Sequence, residues 1–447
     1  MTKNLSRRPL TGQLVAHLVS VLGTSMSALA IPWLVLTSTG SATRTGLIAF
    51  AELAPYVAMQ ALGGPLVDRI GARRAYVLGN AAAAVAVCAI PGLYVIGLLP
   101  SGALAALVAV AGALRGVADC AGQVLVPGAA GLGAVPLERA AGLNGSANQT
   151  GLFVGAAAAG VMVSALGAPA VVLVDGITFA LAAALVALLV PTAAQPQRSQ
   201  RRLSTRQYAA DLAEGARFIR TDRLLLVLVA MIAVTNLLDQ GINAVLVPVW
   251  IREHLHQPRA LGLIAGALGA GALIGALTAA WLGPKLPRRV VFTIGTLVAG
   301  APLSLVLALT GTLPPALTAA FVAGLAVGGL NPILHAVLYE RVPPQLRART
   351  LGAIKASAWI GTPIGPLLAG GLIEATGLRT TLLTFAAIFL VATTAVLTLP
   401  AMRDMNRLRP QPDATRAAGN EAGSEPASPT LRTVAGTEHG ETRAADG

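Results

Sequence analysis

The sequence predicts an all-α membrane protein of twelve transmembrane helices in two pseudo-symmetric six-helix halves, and three observations carry that prediction. The first is composition. Of 447 residues, 55% are hydrophobic and 11% charged, with a mean hydropathy of +0.71, whereas soluble domains carry about 25% charge. The second is spacing: apolar stretches close to the roughly 20 residues that cross a bilayer recur at about 10–36, 44–63, 75–98, 102–126, 140–164, 168–190, 223–250, 260–283, 289–310, 313–337, 349–372 and 378–399. The third is charge placement. Of 32 Lys and Arg, four (Arg44, Arg252, Arg259, Arg379) fall outside in this topology and two (Arg115, Lys355) within spans. The rest lie in inner connectors or termini, as the positive-inside bias requires. The net charge of +13 is thus a topology signal, and no nucleic-acid partner is expected.

Taken in order, Lys3, Arg7 and Arg8 precede an apolar run too long for a cleaved leader, so the first span is read as its own insertion signal. An even span count places both termini in the cytoplasm of a multi-pass protein of the inner (plasma) membrane. Spans two and three are joined by a charged hairpin turn, Gly64-Pro-Leu-Val-Asp68-Arg69-Ile-Gly71-Ala-Arg73-Arg74. Residues 191–222 are read as a cytoplasmic linker between a first half (1–190) and a second (223–400). That linker holds Pro191, Pro196, a basic cluster (Arg198, Arg201, Arg202, Arg206) and an amphipathic stretch from Ser204, a helix cap, to Ile219. Residues 401–447 turn polar and are expected to form a disordered cytoplasmic tail.

The halves repeat. Gly46-Leu-Ile-Ala recurs as Gly262-Leu-Ile-Ala, and Pro32 as Pro248, at an offset of 216. Arg139, Gly142, Gly151, Gly155, Gly160 and Gly167 recur as Arg349, Gly352, Gly361, Gly365, Gly370 and Gly377, all at 210.

No Walker loop, GxGxxG opening a strand or HExxH helix is found, so neither ATP-driven pumping nor enzymatic chemistry has support, and no cofactor is implied. Cys88 and Cys120 lie in apolar runs at no metal or disulfide spacing. Charge inside the spans is the informative feature. Glu52, Arg115, Asp119, Asp175, Asp239 and Lys355 each cost about 2.5–3.5 kcal/mol at a helix centre, so each should face a cavity or a partner. Arg115 and Asp119, four residues apart on one helix, are expected to pair directly, as a proton switch with Glu52 as the next candidate acid or as a static ion pair. Asn236, Asp239, Gln240 and Asn243 form a stripe on span seven, read as lining a substrate cavity, with Asn144, Asn148 and Gln149 doing the same on span five. His17 and His335 are read as packing residues.

The turn at 64–74 resembles the signature loop between spans two and three of the major facilitator superfamily, G-x-L-x-D-R-x-G-x-R/K. Gly64, Leu66, Asp68, Arg69, Gly71 and Arg73 match, and Ala72 replaces a usual basic residue. The resemblance implies the major facilitator fold and a latch in which Asp68 meets Arg347 and Arg349 at the start of span eleven, holding an outward-open state. Gly142-(x8)-Gly151-(x3)-Gly155-Ala156 and Gly352-(x8)-Gly361-(x3)-Gly365-Pro366-(x3)-Gly370-Gly371 resemble the antiporter motif of its exporters, which that group carries in span five. Arg115 resembles the Arg of an R-x-x-x-G element, with Asp119 in the glycine's place. The segments Ala30–Ser41 and Leu212–Ile219 are similar to the branch of macrolide efflux and enterobactin export proteins. The implied activity is proton-coupled efflux of a small, largely apolar molecule by alternating access, performed by a monomer. An importer of a small solute in the same fold is the alternative, followed by a non-transporting receptor or scaffold.

Overall fold

The computed structural model describes residues 7–192, 205–282, 288–342 and 346–399. Every described element is helical. In the first half, α1 (Arg8–Thr39), α2 (Ala42–Leu62), α4 (Ala72–Val95), α5 (Ser101–Leu132), α6 (Leu137–Leu166) and α7 (Ala168–Leu189) are six spans. Between α2 and α4 the charged turn is itself a short helix, α3 (Gly64–Ile70), closed by Gly71 at φ 93°. That left-handed backbone suits glycine alone at low cost. Helix α8 (Thr205–Thr221) precedes the second half.

Three spans of the second half are interrupted. Span seven runs from α9 (Arg223–Gly241) through a π turn (Ile242–Leu246) into α10 (Val247–His254), with Pro248 just past the turn. Span eight is α11 (Arg259–Leu282), and span nine breaks at Gly300 between α12 (Arg288–Ala299) and α13 (Ala301–Leu309). Span ten is α14 (Leu313–Arg341). Span eleven, expected as one helix, is α15 (Arg347–Ile360) and α16 (Ile364–Thr376) with a turn at Gly361-Thr362-Pro363. Proline removes a helical donor and disfavours the α conformation of the residue before it. The last span is α17 (Leu378–Thr398). Eleven spans are long and apolar enough to cross a membrane among the described residues, and the twelfth is a shorter apolar helix.

Side-chain packing divides along the membrane normal. One buried cluster joins both halves at the end of the bundle that holds the α1–α2 connection, bringing Met26, Trp33 and Ile48 together with Val245, Trp250 and Phe385. Toward the end that holds α3 the cores separate: Ala16, Tyr76, Leu125 and Val186 form a first-half cluster, and Leu224, Leu228, Phe292 and Val337 belong to a second-half one. Among the described residues the halves therefore share one core at the first end and have separate cores at the other.

Candidate functional site

Two crossings of related geometry join the halves at the end with the shared core. A Cβ added at Gly46 of α2 would collide with the Pro366 carbonyl of α16, and one at Gly370 would lie 2.6 Å from the Ala42 carbonyl oxygen. At the matching crossing, a Cβ at Gly160 of α6 would collide with the Gly262 backbone of α11, and one at Gly262 would lie 2.5 Å from the Ala157 carbonyl oxygen. The repeated Gly-Leu-Ile-Ala segments thus pack on the repeated glycines of the opposite half. Small residues let backbones approach where lipid offers no hydrophobic drive for association.

Beneath this seal the first half holds a buried charged cluster. Arg115 Nη1 of α5 lies 3.0 Å from Glu52 Oε1 of α2, the two side chains 13% and 15% exposed. The expected Arg115–Asp119 pair is corrected: Glu52 across the helix interface is the partner, and Asp119 Oδ2 accepts from the Tyr56 hydroxyl at 3.0 Å. Gln60 Nε2 donates to that same hydroxyl oxygen at 3.0 Å. The Arg115 guanidinium also lies 5.3 Å from the Tyr56 ring centre and 5.6 Å from that of Phe179, within cation–π range. Glycines set the approach. A Cβ at Gly112 would collide with the Glu52 carbonyl, and one at Gly116 would lie 2.5 Å from that of Tyr56. Bare backbone on both sides of Arg115 thus lets α5 sink onto α2.

Asp175 of α7 is 2% exposed, and Thr178 Oγ1 donates to its carbonyl at 2.7 Å and lies 3.4 Å from its Oδ1. His17, expected as a satisfied packing residue, lies beside Asp119 and Asn148. Its Nε2 and the Oε1 of Gln13 are buried without a hydrogen-bond partner among the described residues.

The stripe on span seven divides by role. Asn236 Nδ2 donates to the Ala358 carbonyl of α15 at 3.0 Å, so this residue joins helices instead of lining a cavity. Asn243 Nδ2 turns back to the Asp239 carbonyl at 2.8 Å. Asp239 and Gln240 are half-buried and make no side-chain hydrogen bond among the described residues. On α6, Asn144 and Asn148 are half-buried, and Asn148 Nδ2 donates to Gln149 Oε1 at 3.3 Å.

At the turn between α2 and α4, Asp68 and Arg69 are exposed, and Asp68 has no partner among the described residues. Arg73 is committed to its own half: its Nε donates to the Val190 carbonyl at 2.6 Å and its Nη2 to that of Ala187, satisfying carbonyls at the end of α7. Gly64, expected to allow close helix approach, has nothing within 4 Å of an added Cβ. The side chains of Arg347, Arg349, His335 and Arg206 lie outside the described residues, as do Ser204, the rest of the basic linker cluster and the whole tail.

The model of the Major Facilitator Superfamily matches residues 14–238 and 229–438. The chain belongs to that superfamily. Like its other members it is a membrane transporter for small molecules and not an enzyme. Among curated proteins this major facilitator is similar to "Multidrug efflux pump Tap" of Mycobacterium tuberculosis (strain ATCC 25618 / H37Rv), 31% identical over 425 residues that cover 94% of this chain and 99% of that protein. The pump of the same name from Mycolicibacterium fortuitum is 29% identical over 408 residues, covering 90% and 98%. Among solved structures, a bacterial homologue of the human lysosomal transporter Spinster, inward-facing and unoccupied, superposes with a TM-score of 0.66 at 16% identity, covering 91% of this chain and 99% of that one. The nucleoside transporter NupG gives 0.65 at 14%, covering 90% and 99%. At such identities these structures share the fold alone.

Sequence reasoning missed Tyr56, Gln60 and Phe179 in this transporter. Glu52, Tyr56 and Gln60 recur at i, i+4 and i+8, a polar face on span two that was legible in principle. Phe179 gave no signal, because one aromatic in an apolar span is ordinary.

Proposed function

We propose that this transporter exports a small, largely apolar compound across the plasma membrane in exchange for protons, by alternating access. The observation that carries the reading is near full-length similarity to a protein named as a multidrug efflux pump. A chain related over 94% of its length keeps both halves and the interface between them, where major facilitators hold substrate near the midplane. Asp239, Gln240, Asn144 and Asn148 are the candidate substrate contacts.

Proton coupling falls to the first-half cluster. Glu52 engages the Arg115 cation, and Asp119, held by Tyr56, exchanges the proton as the halves rock. In the outward-open state Asp68 docks on the start of α15, where a helix N-terminus and Arg347 and Arg349 favour an anion. The chain acts as a monomer, with halves 1–190 and 223–400, linker 191–222, tail 401–447 and both termini cytoplasmic.

Inside-out vesicles bearing the chain, energised with an acid interior, test the reading with radiolabelled lipophilic antibiotics. Efflux predicts accumulation in the lumen that collapses with a protonophore. Uptake only when the gradient is reversed would make the chain an importer, and no gradient-dependent flux in either direction would overturn proton coupling.

A further inference from the structure

The outer seal contains one charged contact that packing does not require. Glu374, in the last turn of α16, reaches the opposite half: its Oε1 accepts from Ser41 Oγ at 2.6 Å and from the Thr43 backbone N–H at 3.2 Å. Thr43 Oγ1 in turn donates to the Gly370 carbonyl at 3.1 Å. Ser41 is the extended N-cap of α2 and also accepts from the Arg44 N–H at 3.1 Å. The carboxylate therefore sits on the free amide end of α2, where unsatisfied N–H groups and the helix dipole favour an anion.

We propose that Glu374 is an outer latch that holds the outward-closed state, the counterpart of the inner one at Asp68. Both latches use the same two spans. At the inner end the alternating-access reading sets an acid following span two against the start of span eleven; at the outer end an acid closing span eleven caps the start of span two. Each acid belongs to one half and its helix N-terminus to the other, so a state that parts the halves outside must release Glu374. The inference rests on the alternating-access reading above.

Two features favour a switching role over a structural one. The contact is exposed, so water takes over its hydrogen bonds on release and the cost of opening is small. A permanent fastening would be buried, as Arg115–Glu52 is. The sister crossing of α6 and α11 closes without an acid, since Ser164 stands at the position matching Glu374 under the 210-residue repeat. Close backbone contact alone therefore seals an outer crossing of this kind. Glu374 adds a polar hold to one of two related contacts.

Hydrogen–deuterium exchange of the full chain in lipid nanodiscs, without substrate or gradient, reads the two ends separately. For Glu374→Gln we expect amides in peptides covering 40–46 and 368–378 to exchange about fivefold faster, the size of one exposed charge-assisted contact. Peptides covering 63–74 should exchange more slowly, because the population moves toward the state that is closed inside. Thr43→Val removes the bond to Gly370 and keeps the charge, and should shift both ends the same way by less. Unchanged outer exchange in both variants, or faster exchange at both ends, would overturn the latch. Wild-type efflux in vesicles is measured independently, so a failed latch and a failed efflux reading are distinguishable.

Discussion

Replacing Glu52 by Gln removes the partner of a cation held between α2 and α5. At the observed 3.0 Å, the pair's Coulomb energy is about 5 kcal/mol at an effective dielectric near 20. Desolvation offsets much of that in the intact protein, but deleting one member leaves the other charge buried and costs roughly 3–5 kcal/mol. At about 2–4 °C per kcal/mol for a domain of 150–250 residues, Glu52→Gln should lower the melting midpoint in detergent by about 10 °C. The double variant Glu52→Gln with Arg115→Met removes both charges and keeps much of the volume. It should recover at least half of that loss, because no uncompensated charge remains. Thermal challenge followed by size-exclusion chromatography measures all three proteins. A Glu52→Gln protein that melts with the wild type would show that Asp119 or Asp175 supplies the counter-charge, and a double variant weaker than the single would refute the ion-pair account.

Three further outcomes are expected. Asp119→Asn should abolish gradient-driven accumulation and substrate-induced proton release while leaving substrate binding and exchange, because binding draws on other residues; unchanged proton release would move the proton site elsewhere. Asp68→Asn should insert normally yet lose most transport, and wild-type flux would sink the inner latch. Gly262→Val places two methyls where even a Cβ would lie 2.5 Å from the Ala157 carbonyl oxygen, so it should force α6 and α11 apart and raise labelling of a cysteine placed at Ser164 by a membrane-impermeant thiol reagent. Labelling equal to that of the same cysteine in an otherwise unchanged chain would show that this crossing is not the seal.

The sequence by itself determined the number and order of the spans. Hydropathy and Lys/Arg placement act locally, span by span, and neither depends on how the helices meet. It also exposed the twofold repeat, since the offsets of 216 and 210 survive in small residues that packing keeps small. The charged positions were equally legible, because an ionised side chain in an apolar run is conspicuous. Their partners were not. Spacing along one helix placed Asp119 under Arg115, but pairing depended on Gly112 and Gly116, which bring the α2 backbone close enough for Glu52 to reach the guanidinium first. Asn236 likewise read as cavity lining until the Ala358 carbonyl on α15 was seen to receive it. Only the tertiary structure decided which glycines form crossings and which stand free, as Gly46 and Gly64 do respectively. It also decided that the halves close at the end holding the α1–α2 connection, a choice between two packings of one sequence that leaves no mark on local periodicity.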